Sequence, residues 1–244
     1  MYITLLTILI SFFLPVSLPA QGRLEIRFNN FVDNKPLNPD STYINPFGER
    51  YTIQRLKYYI TNIELVNTKA GKRIQVENSY FLVDDGNEDS KTISLDIEEG
   101  EYDTVSFLLG VDSLHHVSGA QSGALDPMNG MFWTWNSGYV SVKLEGKSPV
   151  SNLPQHLIEY HLGGFKGPDK VSQRINLSLD RKFFTVSKKK KTALFIKTDL
   201  NLFFKSVHPL PVASNPACTS AGPLARLYSE NYATIFSLDK IENN

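Results

Sequence analysis

The sequence predicts an all-β protein built as a single antiparallel β-sandwich-like domain. Three observations predict this class: segments alternating apolar and polar residues recur along the chain, turn residues separate them, and helical periodicity is confined to two short stretches. Hydrophobic residues make up 41% and charged residues 20% of the 244 positions, a composition able to bury a core. Because no repeat or long flexible linker divides the chain, we expect one domain over residues 21–244.

The N-terminal segment precedes that domain. Residues 1–20, MYITLLTILISFFLPVSLPA, are uncharged and apolar and end in Leu18-Pro19-Ala20. This pattern predicts a signal peptide with Gln21 as the new N-terminus, and hence a periplasmic or secreted protein. No later apolar stretch approaches the length of a membrane span, so we expect none after cleavage.

The strand patterns follow one another from residue 22 onward. The long segment 51–76 is interrupted by a turn at 69–72, and the segment 92–111 turns at Glu99-Gly100. The run SKKKK at 187–191 separates two strand patterns, which predicts a solvated hairpin turn. The remaining strand patterns are GRLEIRFNNFV, YVSVKLEG, LIEYHLGGF, RINLSLD and TALFIKTDLNLFF.

Two helices are predicted. Asp126-Pro127 is typical of an N-cap followed by proline in the first turn, so we expect a short helix running toward Met131. In the tail, Leu224, Leu227 and Ile235 have helical spacing, which predicts a C-terminal helix.

Charge and missing motifs narrow the function. The chain has 25 basic and 25 acidic side chains and therefore no formal net charge, so we expect no electrostatic attraction to nucleic acid. It has no G-x-S-x-G elbow, glycine-rich phosphate loop, H-E-x-x-H or C-x-x-C, and we expect that it is not an enzyme. Its single cysteine, Cys218, excludes an internal disulfide and lies in a segment that resembles a loop.

Histidines are the candidate metal ligands, because imidazole is the usual ligand for copper and zinc. His161 shares a strand face with Glu159 and Gly163, whereas the neighbouring apolar residues face the other way. His115 and His116 follow a predicted strand and would occupy a loop at one end of the sandwich. Adjacent histidines of a strand point to opposite faces, so we expect at most one of them to bind a given ion. His156 and His208 are predicted loop residues, and His208 is a weaker candidate ligand than His161, His115 and His116.

Both tryptophans, Trp133 and Trp135, lie in the segment DPMNGMFWTWNSGYVSVKLEG, residues 126–146. In an extended segment their rings fall on one face. There they either close one end of the core as apolar side chains or form a reactive, oxidisable aromatic site. Met128 and Met131 offer soft sulfur atoms that suit Cu(I), and both are equally typical of gap-filling apolar residues.

Four segments resemble a known family. LKYYITNIEL (56–65), FLLGVDS (107–113), GALDPMNGMFWTWNSGYVSVKLEG (123–146) and EYHLGGF (159–165) together are similar to the MbnP-like family of copper-binding proteins, the methanobactin-associated and CorA-type group. The tryptophan element with its fixed aromatic and glycine spacing is the most specific of them. The resemblance implies a β-rich sandwich-like fold and an extracytoplasmic location.

The resemblance also implies a copper site made of histidines and an oxidised tryptophan, kynurenine. His161 matches the histidine of the family's HLG element, His115 or His116 falls at its loop histidine, and Trp133 and Trp135 match its W-x-W pair. A MauG-like di-haem cytochrome peroxidase is the implied partner that makes the modification.

We therefore expect an exported copper-binding protein that sequesters or delivers copper. Two alternatives stay open: an extracytoplasmic β-sandwich interaction module that binds no metal, and a haem-peroxidase substrate whose modified tryptophan serves redox chemistry.

Overall fold

The structure is a computed structural model that describes residues 20–134, 137–179 and 183–243. The predicted signal peptide lies outside these ranges except for Ala20, and so does Trp135. The described strands are β1 Gln21–Val32, β2 Lys35–Pro36, β3 Tyr43–Ile44, β4 Arg50–Asn67, β5 Lys72–Gln75, β6 Tyr80–Asp84, β7 Thr92–Glu98, β8 Gly100–Tyr102, β9 Thr104–Leu109, β10 Phe132–Thr134, β11 Gly138–Lys147, β12 Leu157–Gly163, β13 Gln173–Ser178, β14 Phe184–Val186, β15 Thr192–Asp199, β16 Ala217–Cys218 and β17 Phe236–Asn243. The α-helices are α1 Ser113–Val117 and α2 Pro223–Tyr232, and 3₁₀ turns occupy Glu88–Lys91, Gly123–Leu125, Pro127–Asn129, Pro154–His156, Gly167–Asp169 and Leu200–Phe203.

Two large sheets form the sandwich, which confirms the predicted all-β class. The larger sheet has the strand order β13-β9-β4-β11-β12-β16, with β3, β5 and β6 also paired to β4 and β10 to β11. The smaller sheet has the order β17-β15-β1, with β2 and β7 paired to β1. The pairs β1–β15 and β12–β16 are parallel, a detail that alternation alone does not reveal.

The main core lies between the two sheets. Phe28 of β1 meets Tyr58 of β4 and Phe107 of β9 edge to face, with ring centroids 6.1 and 5.8 Å apart. Helix α2 closes one side through Tyr228, whose ring centroid lies 4.8 Å from that of Tyr160 on β12. Each such aromatic, fully buried, stabilises the fold by roughly 1.5–3 kcal/mol, so this inner face fixes how the sheets pack.

The larger sheet also has an outer face, defined as the side opposite the main core. Tyr58 points into the main core, whereas its neighbour Tyr59 points to the outer face and is equally buried. Tyr59 belongs to a second apolar cluster with Val111, Leu125, Met131, Tyr139 and Val140. This second cluster holds the chain segment between β9 and β11, including β10, against the outer face.

The helices agree with the sequence in part. Asp126 caps the turn Pro127–Asn129 by accepting a hydrogen bond from the Met128 backbone, and Gly130 ends it at φ +71°. The C-terminal helix is present as α2, but the tail after it forms β17. The residues around His115 and His116 form the short helix α1 and not a loop. No helix in the described ranges is long and apolar enough to cross a membrane.

Cys218 differs from its predicted loop position. It lies in β16, pairs with Tyr160 of β12 and is only 6% exposed. Burial raises the pKa of its thiol to about 11. We missed this strand because two residues among Ser, Pro and Gly carry no alternation signal.

Candidate functional site

A row of polar side chains crosses the outer face of the larger sheet. The strand register places Lys143 of β11 beside Lys57 of β4 on one side and beside His161 of β12 on the other. Adjacent strands lie about 4.8 Å apart, so these three positions are direct neighbours. Burial lowers the pKa of Lys143, and the charges of Arg55 and Lys57 lower it further against the opposing effect of Glu145. The row is therefore a partly desolvated strip of basic side chains.

The row also anchors the segment that carries the tryptophan. The Lys143 ammonium donates to the carbonyl of Gly130 at 2.5 Å, and that of Lys57 donates to the carbonyl of Asn129 at 3.4 Å. Lys57 also pairs with Asp84 at 2.8 Å. These contacts fix the turn immediately before β10 over the outer face.

His161 is held by a carboxylate on this face. Its Nε2 lies 2.7 Å from Oε1 of Glu145, whose Oε2 accepts a hydrogen bond from Arg55 at 2.6 Å. The side chain keeps 19% exposure. Within the described residues Nδ1 of His161 has no hydrogen-bond partner, so this nitrogen can meet a ligand.

His115 has a similar arrangement at the start of α1. Its Nδ1 lies 3.0 Å from both carboxylate oxygens of Asp112 and 2.9 Å from the hydroxyl of Tyr80, while Nε2 has no partner among the described residues. Burial would raise the pKa of Asp112, but hydrogen bonds from Tyr80, His115 and Asn62 outweigh it and hold this pKa well below its usual range. Asp112 therefore stays ionised and orients the imidazole.

His116 has a structural role. It is 3% exposed, its Nδ1 accepts a hydrogen bond from the Tyr139 backbone at 2.9 Å, and its ring stacks on Phe165 with centroids 4.4 Å apart. Burial lowers its pKa to about 4. Since Nδ1 is the acceptor, the proton resides on Nε2. His116 is therefore interior and His115 partly exposed. The expected division of the two adjacent histidines is present, although they lie in a helix and not in a strand.

Trp133 lies next to His161 on the outer face. It is half-buried in β10 and packs against the second apolar cluster. Its ring covers Gly163: a Cβ placed there would lie 2.7 Å from Cη2 of the ring and closer still to Cζ3. Gly163 follows His161 by two residues on the same strand face, about 6.6 Å along the strand. Trp133 and His161 thus lie on the same face of the larger sheet, whereas Trp135 lies outside the described residues.

The other candidate ligands lie apart from this arrangement. Met131 is fully buried in the second apolar cluster, and Met128 is 90% exposed. His208 pairs through Nε2 with Glu230, and Nδ1 of His156 donates to the Ser151 carbonyl at 3.0 Å. In the part of the chain that the structure describes, no three His, Cys, Asp or Glu side chains form a group that could hold a metal ion.

A cavity of about 590 Å³ opens beside Trp133. Phe165 and Lys166, which follow β12, and residues 219–222, which precede α2, line this cavity. His116 of α1 stacks on Phe165, so α1 packs against one of the lining residues. Its size is within the range of small-molecule sites.

Sequence reasoning missed the carboxylates and the phenol that orient these rings. Glu145 could have been found from VKLEG, where alternation puts it on the same face as Lys143, toward the strand that bears His161. Asp112 stands three residues before His115, the spacing of a helix N-cap and its first turn. Tyr80 is distant in sequence, and no local pattern points to it.

Comparison with known proteins decides the family. The sequence model of the MbnP family matches residues 21–220. The chain belongs to the MbnP family. The solved structure of MbnP from Methylosinus trichosporium shares the fold, with a TM-score of 0.53 and 17% identity over 82% of this chain and 83% of that one. No curated protein matches the sequence. The matched region contains every candidate ligand and both tryptophans, so the site lies within the part that defines the family.

Proposed function

We propose that this member of the MbnP family is an exported copper-binding protein that sequesters or delivers copper and is not itself an enzyme. The observation that carries the proposal is the placement of His161 beside Trp133 on the outer face, inside the family's matched region. Imidazole nitrogen suits copper in either oxidation state better than the oxygen-preferring ions Mg²⁺ and Ca²⁺.

The residues present fit a copper ion in their chemistry. His161 and His115 each have one ring nitrogen that is hydrogen-bonded to a carboxylate and one ring nitrogen without a partner among the described residues. Metal-binding histidines commonly have this arrangement, because the carboxylate fixes the tautomer and makes the free nitrogen more basic. His116 would have to break two contacts in the core to reach an ion, so we assign it to structure and His161 and His115 to copper.

The aromatic part of the proposed site is Trp133, with Trp135 as the second candidate for oxidation. Conversion to kynurenine opens the indole and leaves an aromatic amine and a ketone, which can both approach a metal. The reaction cleaves the C2–C3 bond of the indole, inserts oxygen and loses C2 as formate, so it needs an external oxidant. We propose that this oxidant is hydrogen peroxide, used by a MauG-like di-haem peroxidase. The partial exposure of Trp133 at the cavity supports electron transfer to such a partner.

Copper titration of single-site variants tests the metal site. We expect His161→Ala to weaken copper binding at least about tenfold, with a smaller loss for Glu145→Gln, since orienting carboxylates contribute about 10–100-fold. His156→Ala is the matched control, because it removes an imidazole on a separate loop. Affinity that survives both His161→Ala and His115→Ala would refute the assignment of these residues.

Native mass spectrometry of the protein from its own periplasm tests the remaining parts. We expect one copper ion that is lost on acidification, together with a tryptophan-to-kynurenine mass change within residues 131–143. The modification should depend on the co-expressed haem enzyme. Modification without copper would support the redox-substrate hypothesis instead.

A second function is an extracytoplasmic interaction module without metal. The cavity beside Trp133 favours it, since it joins two aromatic rings to the hydroxyl groups of Thr134, Ser137, Thr219 and Ser220. The two functions are distinguished by copper addition: a chain that stays metal-free under excess copper and keeps its fold supports the module.

A further inference from the structure

A second cavity lies at the other end of the same three strands. It measures about 380 Å³ and lies where β4 begins, β11 ends and the turn before β12 passes. The strand register explains this position, since Lys147 of β11 pairs with Thr52 of β4 and with Leu157 of β12. Nothing in the proposed copper site uses it.

The charged side chains that line this cavity are all basic. Its titratable lining residues are Arg50, Tyr51, Lys147 and His156, and none of the described lining residues is acidic. In the described part of the chain, neither Arg50 nor Lys147 has a carboxylate within ion-pair distance. The adjacent Glu49 carboxylate is used elsewhere, by the backbone of Val212 and Ala213. In a chain of zero formal net charge, two unpaired cations at one cavity are a local excess.

An unusual turn presents the imidazole of His156 at the cavity. Gln155 and His156 both have φ of +56°, so two consecutive non-glycine residues adopt the left-handed conformation, which costs free energy. Hydrogen bonds hold the turn: the Ser148 backbone donates to the His156 carbonyl at 2.8 Å, and the Ser151 hydroxyl donates to the Leu157 carbonyl at 2.5 Å.

The imidazole of His156 is fixed in one tautomer. Its Nδ1 must donate, since its partner is the Ser151 carbonyl at 3.0 Å. Its Nε2 has no partner among the described residues. The cavity thus combines a guanidinium, an ammonium and an oriented imidazole.

We propose that this cavity binds the oxyanion group of a phosphate-bearing ligand. Guanidinium and ammonium groups are the usual partners of phosphate, with Arg50 able to contact two oxygens and Lys147 acting as a point charge. The phosphate comes either from a small soluble molecule or from a lipid headgroup. The site is independent of copper, so its test does not depend on the proposed function.

Isothermal titration of the whole chain with inorganic phosphate tests the site. We expect saturable binding that weakens at least tenfold in the double variant Arg50→Gln/Lys147→Gln, because each removes a charge-assisted contact. The matched control is Arg23→Gln/Lys189→Gln, which removes the same charge at two exposed positions that have no ion pair with any described residue. Binding by the control at the wild-type level supports the site.

Vesicles distinguish the two sources of phosphate. We measure co-sedimentation with vesicles of phosphatidylglycerol and, for comparison, of zwitterionic phosphatidylcholine. Binding to the anionic vesicles alone, lost in the cavity variant and kept in the control, assigns the site to a headgroup. The proposal is overturned if neither phosphate nor vesicles bind, or if the control variant loses binding as much as the cavity variant does.

Discussion

Gly163→Ala is the sharpest test of the contact that joins Trp133 to the strand of His161. The added Cβ would lie 2.7 Å from Cη2 and 3.1 Å from Cε3 of the indole, and closer still to Cζ3. The backbone of Gly163 is outside the left-handed region, so alanine itself is tolerated there. Any effect therefore comes from the ring, which has to tilt or leave.

The expected loss of stability follows from two opposing contributions. Overpacking a well-packed site costs about 1–3 kcal/mol. Replacing glycine by alanine restricts the unfolded chain and returns about 0.4–1 kcal/mol. We expect the free energy of unfolding to fall by roughly 1–2 kcal/mol, and the indole to move toward solvent.

Urea unfolding and tryptophan emission measure the two effects. In a Trp135→Phe background Trp133 is the single tryptophan, so a red shift of the native tryptophan emission reports its displacement. Gly86→Ala is the matched control, because its Cβ meets only the Asp84 side chain at an ordinary 3.4 Å.

Unchanged native emission together with a stability equal to that of the Gly86→Ala control would refute the reasoning. Trp133 would then not lie on Gly163, and its proximity to His161 would lose its structural basis. A loss of stability with unchanged emission would contradict the proposed ring displacement alone.

Three further predictions concern the interior. Gly138→Ala should lower the free energy of unfolding by about 2–4 kcal/mol, because φ is +71° and the added Cβ would collide with His116. Gly48→Ala is the control: its φ is +78° but its Cβ meets open space, so it should cost about 1 kcal/mol in the same urea titration. The pKa of His116 is about 4 in the folded chain and about 6.5 in the unfolded chain, so the unfolded chain binds more protons between these pH values. The free energy of unfolding should therefore fall by about 3 kcal/mol as the pH drops from 6.5 to 4. His116→Gln should lose this pH dependence, and an unchanged slope in the variant would contradict the prediction. Cys218 should react with a thiol reagent at pH 8 only after unfolding, since a pKa of about 11 leaves about one thiolate in a thousand, and rapid labelling of the native chain would be inconsistent with its burial.

The strands could be predicted because alternation is a local property. In β12, Ile158, Tyr160 and Leu162 are fully buried and His161 is partly exposed, as the sequence pattern predicts. The parallel pairings and the strand β17 depend on long-range partners that no local pattern encodes. Helix α1 was missed because five residues show too little periodicity, although Asp112 offered an N-cap signal.

The site was predictable only as far as single residues. Sequence placed His161 on the outward face and Trp133 in an extended segment, but their proximity depends on Gly163, whose missing side chain makes room for the ring. Local sequence could not show which of His115 and His116 is buried. The burial of His116 depends on contacts with Phe165 and with the Tyr139 backbone, which are distant in the chain. Contacts between residues distant in the chain decide such questions.

The division of the sheet into two faces explains how one strand can serve both stability and binding. Along β12 the inner residues are held by the main core, where a change of one methylene is felt. The outer residues contact a second, smaller apolar cluster and a row of charges, so a ligand can reach them without unpacking the sandwich. His161 can therefore offer its Nδ1 to a ligand, with Nε2 still held by Glu145, while Tyr160 and Leu162 keep the strand in place. For this reason His161→Ala should change copper affinity far more than it changes the free energy of unfolding.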